Sequence, residues 1–358
     1  MIRILYILVI ALLLSSCNSE VAQQLDSKNP ALGKLNQIIV VADEDLWIGS
    51  VGDTFRYYFE SAYPILPTPE PIFDLKHYTP QELSASAVRK ELRTYAFLAD
   101  LSDTESPTAQ LLKKDMGDEK YNSALKYGTP FSSMGKNKWA KGQLLVYLFG
   151  ANQDSLKSSI KKSYPTLARK INEHDLKKLK AISFGIKENK GLTRKVSEQF
   201  GIDVEIPVEY ETARYDSLNN LLWLRRGSKQ ADYHMVFQKL KYNNPNQLGK
   251  KAIIDLRNKF GEKYVTSDIE ENVMIINNED LPVYEYVTEI DGHYTKELRG
   301  VWEMTQEFTG GPFVTYVIVN EAKKELIYID TFILAPGEKK RNHMQQLDCI
   351  VKSAKVNS

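Results

Sequence analysis

An apolar run, Ile4 to Leu14, stands behind one positive charge at Arg3 and ahead of Ser15-Ser16-Cys17. Its eleven residues are too few to cross a bilayer, which takes about 20. No longer apolar run follows, so the remainder is expected to fold in water without a membrane span. A short basic n-region, an apolar h-region and a nearby small-residue site read as a cleavable secretory signal over residues 1–16.

The Ala-x-Ala-like site of ordinary signal peptides is missing. Leu14-Ser15-Ser16-Cys17 instead resembles the lipobox of bacterial lipoproteins. The resemblance implies lipidation of Cys17: a diacylglyceryl thioether on its sulfur, cleavage before it, and acylation of the new amine. Each buried CH₂ contributes about 0.8 kcal/mol, and two or more chains anchor stably where one does not. The membrane is thus an expected partner through lipidated Cys17. Residues 17–34, with Gln23-Gln24, Asn29-Pro30 and Gly33, read as a polar tether.

Cleavage removes Arg3 from the 47 basic residues and leaves 46 against 46 acidic. A body without net charge has no overall attraction for polyphosphate, so no nucleic-acid partner is expected. Of the two cysteines only Cys349 then remains, which excludes an intrachain disulfide in the mature chain.

The pattern predicts an α+β protein of two α/β-type sandwich domains, residues 35–186 and 190–358, separated by the polar stretch Gly185 to Gly191. In the first, Ile38-Ile39-Val40-Val41 predicts a buried strand leading into a loop at Asp43-Glu44-Asp45. A helix capped by Asp53 and stopped by Pro64 follows, then an extended loop through Pro67, Pro69 and Pro71. Thr94–Leu101 and Gly142–Gly150 predict strands, Ala109–Leu125 one helix, and Asp154 and Pro165 the starts of two more. The second domain predicts a mainly antiparallel sheet flanked by helices. Asp291-Gly292 is its strongest hairpin signal, and Phe313–Val319 and Glu325–Leu334 are its most apolar strands.

The chain resembles the lipoproteins of Bacteroidota classed as domain of unknown function 4837. The resemblance rests on Cys17, on Asn36 to Val41 with Trp47 and Gly52, and on Pro67-x-Pro69-Glu70-Pro71-x-Phe73. In the C-terminal half it rests on Gly300-Val301-Trp302, Gly311-Pro312-Phe313 and Tyr328-Ile329-Asp330-x-Phe332. It covers essentially the whole mature chain and implies an envelope lipoprotein, with the outer membrane as its expected location and no family catalytic residues to carry over. The order of elements after Gly191 also resembles the PsbP-like fold, an α-β-α arrangement used for binding and assembly; fold does not imply function.

Known chemistries find little purchase. Gly49-Ser50-Val51-Gly52 stands where a phosphate loop would, but Gly52-Asp53-Thr54 puts a carboxylate where the Walker lysine belongs. Ser133-x-x-Lys136, Ser158-x-x-Lys161 and Ser159-x-x-Lys162 match Ser-x-x-Lys without its companion motifs. His77, His174, His234, His293 and His343 form no close ligand pair, and Asp43-Glu44-Asp45 lacks calcium-loop spacing. No catalytic, cofactor-binding or metal residue is assigned, and no cofactor is expected. Trp47, Trp139, Trp223 and Trp302 read as packing rather than sugar stacking.

The function these observations favour is lipid-anchored, non-catalytic binding or assembly of another envelope component, with an envelope protein as the expected partner. An envelope hydrolase with an unrecognised site is the alternative, and a glycan- or small-ligand-binding lipoprotein a third reading. On a helical wheel of the last helix, Met344, Leu347, Ile350, Val351 and Ala354 define the buried stripe. Cys349 is expected nearly opposite it, away from His343 and catalytically idle.

Overall fold

A computed structural model describes residues 28–127 and 132–357; Cys17 and the signal lie outside the described residues. The chain divides into two units, one through Tyr58 with Leu75–Leu167, the other Phe59–Asp74 with Ala168–Ser358. The proline-rich stretch, within the 35–186 expectation, therefore groups with the second unit.

The first unit runs β1 (Gln37–Val41), α1 (Glu44–Ile48), α2 (Ser50–Phe59), β2 (Asp74–Tyr78), α3 (Pro80–Ser84), α4 (Ala87–Lys90), β3 (Thr94–Asp100), α5 (Pro107–Met116), α6 (Asp118–Tyr127), β4 (Ser132–Lys136) and β5 (Leu144–Gly150). Its sheet has the order β2-β1-β3-β5-β4. β1, β3 and β5 are parallel, and β4 is an antiparallel edge. The central strands are buried nearly throughout, which is why they read as continuous apolar runs.

Local chemistry fixes the ends. Thr79 and Glu82 form a capping box on α3, and Ser106 caps α5, with proline in the first turn of both. Four expectations change. The acidic stretch after Asp43 begins α1 rather than a loop, and Asp53 lies in the first turn of α2, which starts at Ser50. The helix predicted across Ala109–Leu125 is divided at Gly117, whose φ of 84° ends α5. Conversely, α7 (Gln153–Phe184) runs unbroken through Pro165. Pro165 faces solvent while Leu156, Ile160, Leu167 and Ile171 are buried around it. That burial, about 1.5–3 kcal/mol per large apolar side chain, outweighs one missing backbone hydrogen bond.

The second unit continues with α8 (Lys190–Phe200), β6 (Ile202–Asp203), β7 (Glu211–Asp216), β8 (Leu221–Gly227), β9 (Asp232–Lys241), α9 (Lys250–Tyr264), β10 (Met274–Asn277), β11 (Tyr284–Ile290), β12 (His293–Met304), β13 (Gly310–Asn320), β14 (Glu325–Leu334), α10 (Arg341–Val351) and β15 (Lys355–Val356). Eight strands form one sheet, β10-β12-β13-β14-β9-β8-β7, with β11 also paired to β12. Among the described residues every pairing in it is antiparallel. Asp291 and Gly292 both take positive φ, 50° and 78°, as a tight β11–β12 turn requires.

Two cores sandwich this sheet. Phe200 of α8 and Met344, Leu347 and Ile350 of α10 pack on one face with Phe237 and Tyr316. Ile253 and Phe260 of α9 pack on the other with Trp302, Phe313 and Phe332. The result is helix, sheet, helix, the α+β layering expected for this half. Leu66 from the proline-rich stretch joins the first core.

Candidate functional site

Trp302 on β12 stands opposite Gly311 on β13. Its indole N–H donates to the Ile333 carbonyl at 3.2 Å. A Cβ on Gly311 would lie 2.1 Å from that carbonyl oxygen and 3.1 Å from the indole nitrogen, so only glycine leaves the indole its place. Gly300 is constrained in the same way, since a Cβ there would lie 2.6 Å from the Phe313 ring. Trp302 meets Phe332 edge to face at 5.8 Å. Gly300-Val301-Trp302, Gly311-Pro312-Phe313 and Phe332 therefore pack as one unit.

Beside this unit lies a groove of about 530 Å³. Val301 and Trp302 line it together with Leu334, Ala335, Pro336 and Pro67. Phe308 also lines it and is fully exposed. Asp280, Glu303 and Glu307 supply negative charge, and Lys340 supplies the positive charge.

Behind the Trp302–Phe332 pair is a buried ion pair. Arg257 Nε on α9 donates to Asp330 Oδ1 on β14 at 3.1 Å, and the two side chains are 1% and 0% exposed. Thr315 donates to the same oxygen at 2.5 Å, and the guanidinium lies 3.9 Å from the centre of the Phe313 ring. Burial pushes the Asp330 carboxyl up, against the pull of Arg257 and Thr315. So all three C-terminal stretches named for the family resemblance, and Pro67 of the proline-rich one, meet at or behind the groove.

Residues 189–353 match the family described as domain of unknown function, DUF4837. That stretch is similar to the DUF4837 family. Residues 31–183 match a second family, domain of unknown function DUF8532. The likeness expected over the whole mature chain is thus divided between two families. No curated protein matches the chain.

Among solved structures it is similar to LpqN of Mycobacterium tuberculosis, described as involved in cell envelope biogenesis, at 10% identity and a TM-score of 0.27, over 44% of this chain and 83% of that one. It is similar to the Ran-binding protein Mog1p of Saccharomyces cerevisiae at 10% identity and a TM-score of 0.30, over 44% and 90%. The human StarD13 lipid transfer and protein localization domain matches at 12% identity and a TM-score of 0.21, over 46% and 94%. Likenesses this distant carry nothing about function.

The second unit has another hollow, of about 430 Å³, lined by Tyr63, Lys180, Asp348, Cys349 and Lys352 among others. Asp348 accepts from Arg299 Nη2 at 2.7 Å and from the Tyr316 hydroxyl at 2.6 Å. Burial opposes ionisation there, but Arg299, then Lys352 and the Tyr316 hydroxyl, hold the carboxyl below its usual range. Arg299 also bonds Glu297 at 2.6 Å, and Lys352 pairs with Glu297 at 3.1 Å. These charges satisfy one another.

Cys349 corrects the helical-wheel expectation: it is buried, at 8% exposure. The wheel assumes one covered face, whereas α10 also meets Leu176, Leu179 and Lys180 of α7 around this hollow. Burial pushes the thiol up, and the neighbouring Ser183 hydroxyl donates to the Leu179 carbonyl at 2.8 Å. His343 is engaged elsewhere, its Nδ1 being 2.5 Å from the Tyr233 hydroxyl.

The remaining sequence candidates scatter. A Cβ on Gly52 would meet the Trp47 carbonyl oxygen at 1.8 Å, so that glycine serves close packing. Asp43, at the end of β1 where open α/β sheets bind ligands, accepts from the Thr108 backbone N–H at 3.2 Å and its hydroxyl at 2.9 Å, and from the Ser106 hydroxyl. Ser133 and Lys136 lie on strand β4, where an odd separation puts them on opposite faces. Ser159 is buried, donating to the carbonyls of Phe149 and Ser155 at 2.9 Å each, while Lys162 is exposed. Among the described residues no group of three or more His, Cys, Asp or Glu is placed to hold a metal ion.

Trp47 stacks on His77 at 5.1 Å, Trp139 meets Tyr95 at 5.4 Å, and Trp223 meets Phe260 at 5.7 Å. Trp302 is buried too, yet it lines the groove. Sequence reasoning missed the groove. The available signal was glycine at positions 300, 310 and 311 around a tryptophan, a sign of close approach rather than of a ligand.

Proposed function

We propose that this protein is a lipid-anchored module of the cell envelope that binds another envelope protein, without catalysis, through the groove beside Trp302. The observation that carries the reading is that groove. It has an apolar floor, one apolar side chain standing in solvent at its rim, and charged groups around it, the make-up of a docking site. The apolar run Ile4 to Leu14, followed by Ser15-Ser16-Cys17, supports the anchor. The hydrolase reading has no such support: Ser133 and Lys136 lie on opposite faces of β4, the buried Ser159 hydroxyl is held by backbone carbonyls, and burial raises the pKa of the Cys349 thiol.

Phe308→Asp tests the reading, with Leu218→Asp as its control. Both positions are open to solvent, so neither charge strains the fold. Only Phe308→Asp is expected to lower the amount of envelope partner that co-purifies with the full chain from detergent-solubilised membranes. Equal yields from the two variants would overturn the proposal. Cys17→Ala is expected to abolish lipid labelling, and membrane partition unchanged in that variant would remove the anchor from the account.

A further inference from the structure

We infer that the groove takes a cationic segment of polypeptide, with an apolar side chain seated against Val301 and Leu334 and a lysine or arginine next to it. The inference rests on reading the groove as a binding site, and it adds the chemistry of the occupant.

The charge around the groove is unmatched from within. Asn277 Nδ2 donates to Asp280 and to Glu303 at 2.8 Å each, and Asn272 Nδ2 donates to Glu307 at 2.5 Å. Those donors are neutral amides. They orient the carboxylates and leave their charge in place. Among the described residues, no lysine, arginine or histidine forms an ion pair with Asp280, Glu303 or Glu307. Lys340, the cation that lines the groove, donates its Nζ to the Glu338 carbonyl at 3.0 Å. The buried carboxylates of this unit's core, by contrast, are answered by cations: Asp330 by Arg257, and Glu297 and Asp348 by Arg299. Three carboxylates beside a low-dielectric apolar floor focus a negative potential into the groove. A cationic partner fits that field and an anionic one is rejected by it.

The floor decides between a free amine and a polypeptide. Val301, Leu334, Ala335 and Pro336 offer nothing to a hydrated cation but fit an aliphatic or aromatic side chain. Exposed Phe308 adds an apolar rim on which a second side chain can rest. A neutral glycan is disfavoured by the same geometry. Trp302 is 3% exposed and its N–H is committed to Ile333, which leaves Phe308 as a single open ring without a polar hydrogen-bonding partner on it, and the unpaired carboxylates favour a cation over a neutral sugar.

The experiment presents the full mature chain, in detergent micelles, with short peptides of a glycine-serine background carrying one phenylalanine. The neighbour of that phenylalanine is lysine, arginine, alanine or glutamate. Lysine and arginine peptides are expected to bind about tenfold tighter than the glutamate peptide, with the difference shrinking as salt is raised. The preference should vanish in the Glu303→Gln, Glu307→Gln double variant, provided its melting temperature matches the parent. Equal binding of the glutamate peptide, no binding of any peptide, or binding of maltoheptaose instead would each overturn the inference. If the lysine preference is missing while Phe308→Asp still lowers partner recovery, this inference fails and the binding reading stands. If neither effect is seen, both fail.

Discussion

The carboxylate of Glu70 caps a helix that begins some 270 residues later, accepting the backbone N–H groups of Lys340 at 2.5 Å and of Arg341 at 3.2 Å. Arg341 grips the same proline-rich stretch in return. Its Nη1 donates to the Pro71 carbonyl at 2.5 Å and its Nη2 to Asp74 at 2.6 Å. Free N–H groups at a helix start favour an anion, and here a distant segment supplies it. Lys340 offers no side-chain cap of its own.

Glu70→Ala is expected to cost about 1–2 kcal/mol, the cost of losing a helix cap with some helix-dipole interaction. Urea denaturation of the full chain measures it. An unchanged midpoint would mean that the tie between Glu70 and α10 contributes nothing.

The Arg257–Asp330 pair predicts a non-additive mutant cycle. Arg257→Met leaves a buried carboxylate without its cation and is expected to cost about 3–5 kcal/mol, whereas Arg257→Met with Asp330→Leu recovers most of that loss. Chemical denaturation of the parent, both single variants and the double variant gives the coupling directly. Additive losses would contradict a pair held in place by mutual neutralisation.

How far the sequence reveals this fold depends on what each element needs. The central strands are legible because burial on both faces writes itself as apolar runs, Ile38–Val41 in β1 and Phe313–Val319 within β13, whereas the half-exposed edge strands β2 and β4 are not. The Asp291-Gly292 turn was legible because positive φ restricts residue choice. The unbroken passage of α7 through Pro165 was not, because propensity is local and the packing that overrides it is not. The groove was hidden for a related reason. Pro67, Asn277, Trp302, Phe308 and Pro336 meet only through the sheet register and the proline-rich stretch, and no spacing in the sequence encodes that.

His234 should make stability fall in mild acid. Its Nδ1 accepts a hydrogen bond from Trp223 Nε1 at 3.2 Å, which requires the neutral ring at that nitrogen. Burial, and to a lesser degree Arg225, lowers its pKa from 6.5 to about 4. The unfolded chain then binds more protons than the folded one between those values. Stability is therefore full above the unfolded value and declines as pH falls towards 4, by at most about 1.4 kcal/mol per pH unit. His234→Gln keeps an acceptor without a titrating ring. The difference in denaturation free energy between parent and variant, measured from pH 7 to pH 4, should follow that slope, and a flat difference would contradict it.

Cys349 should be slow to react. The thiol is buried and its pKa is raised, so thiol reagents at neutral pH are expected to modify it far more slowly in the native chain than in the urea-unfolded one. Cys349→Ser, which buries a hydroxyl in place of the thiol, should cost no more than about 3 kcal/mol and leave partner recovery unchanged. Loss of binding in a folded Cys349→Ser variant would revive a role for this thiol.

The central claim, that the groove beside Trp302 is the working surface, is tested most directly by photo-crosslinking in intact cells. A photoreactive phenylalanine replaces Phe308 in one strain and Leu218 in another, since both positions are exposed and Leu218 does not line the groove. The account predicts a discrete protein adduct from position 308, absent from position 218, whose crosslinked peptide carries a lysine or arginine beside an apolar residue. No adduct at 308, or the same adducts from both positions, would contradict it.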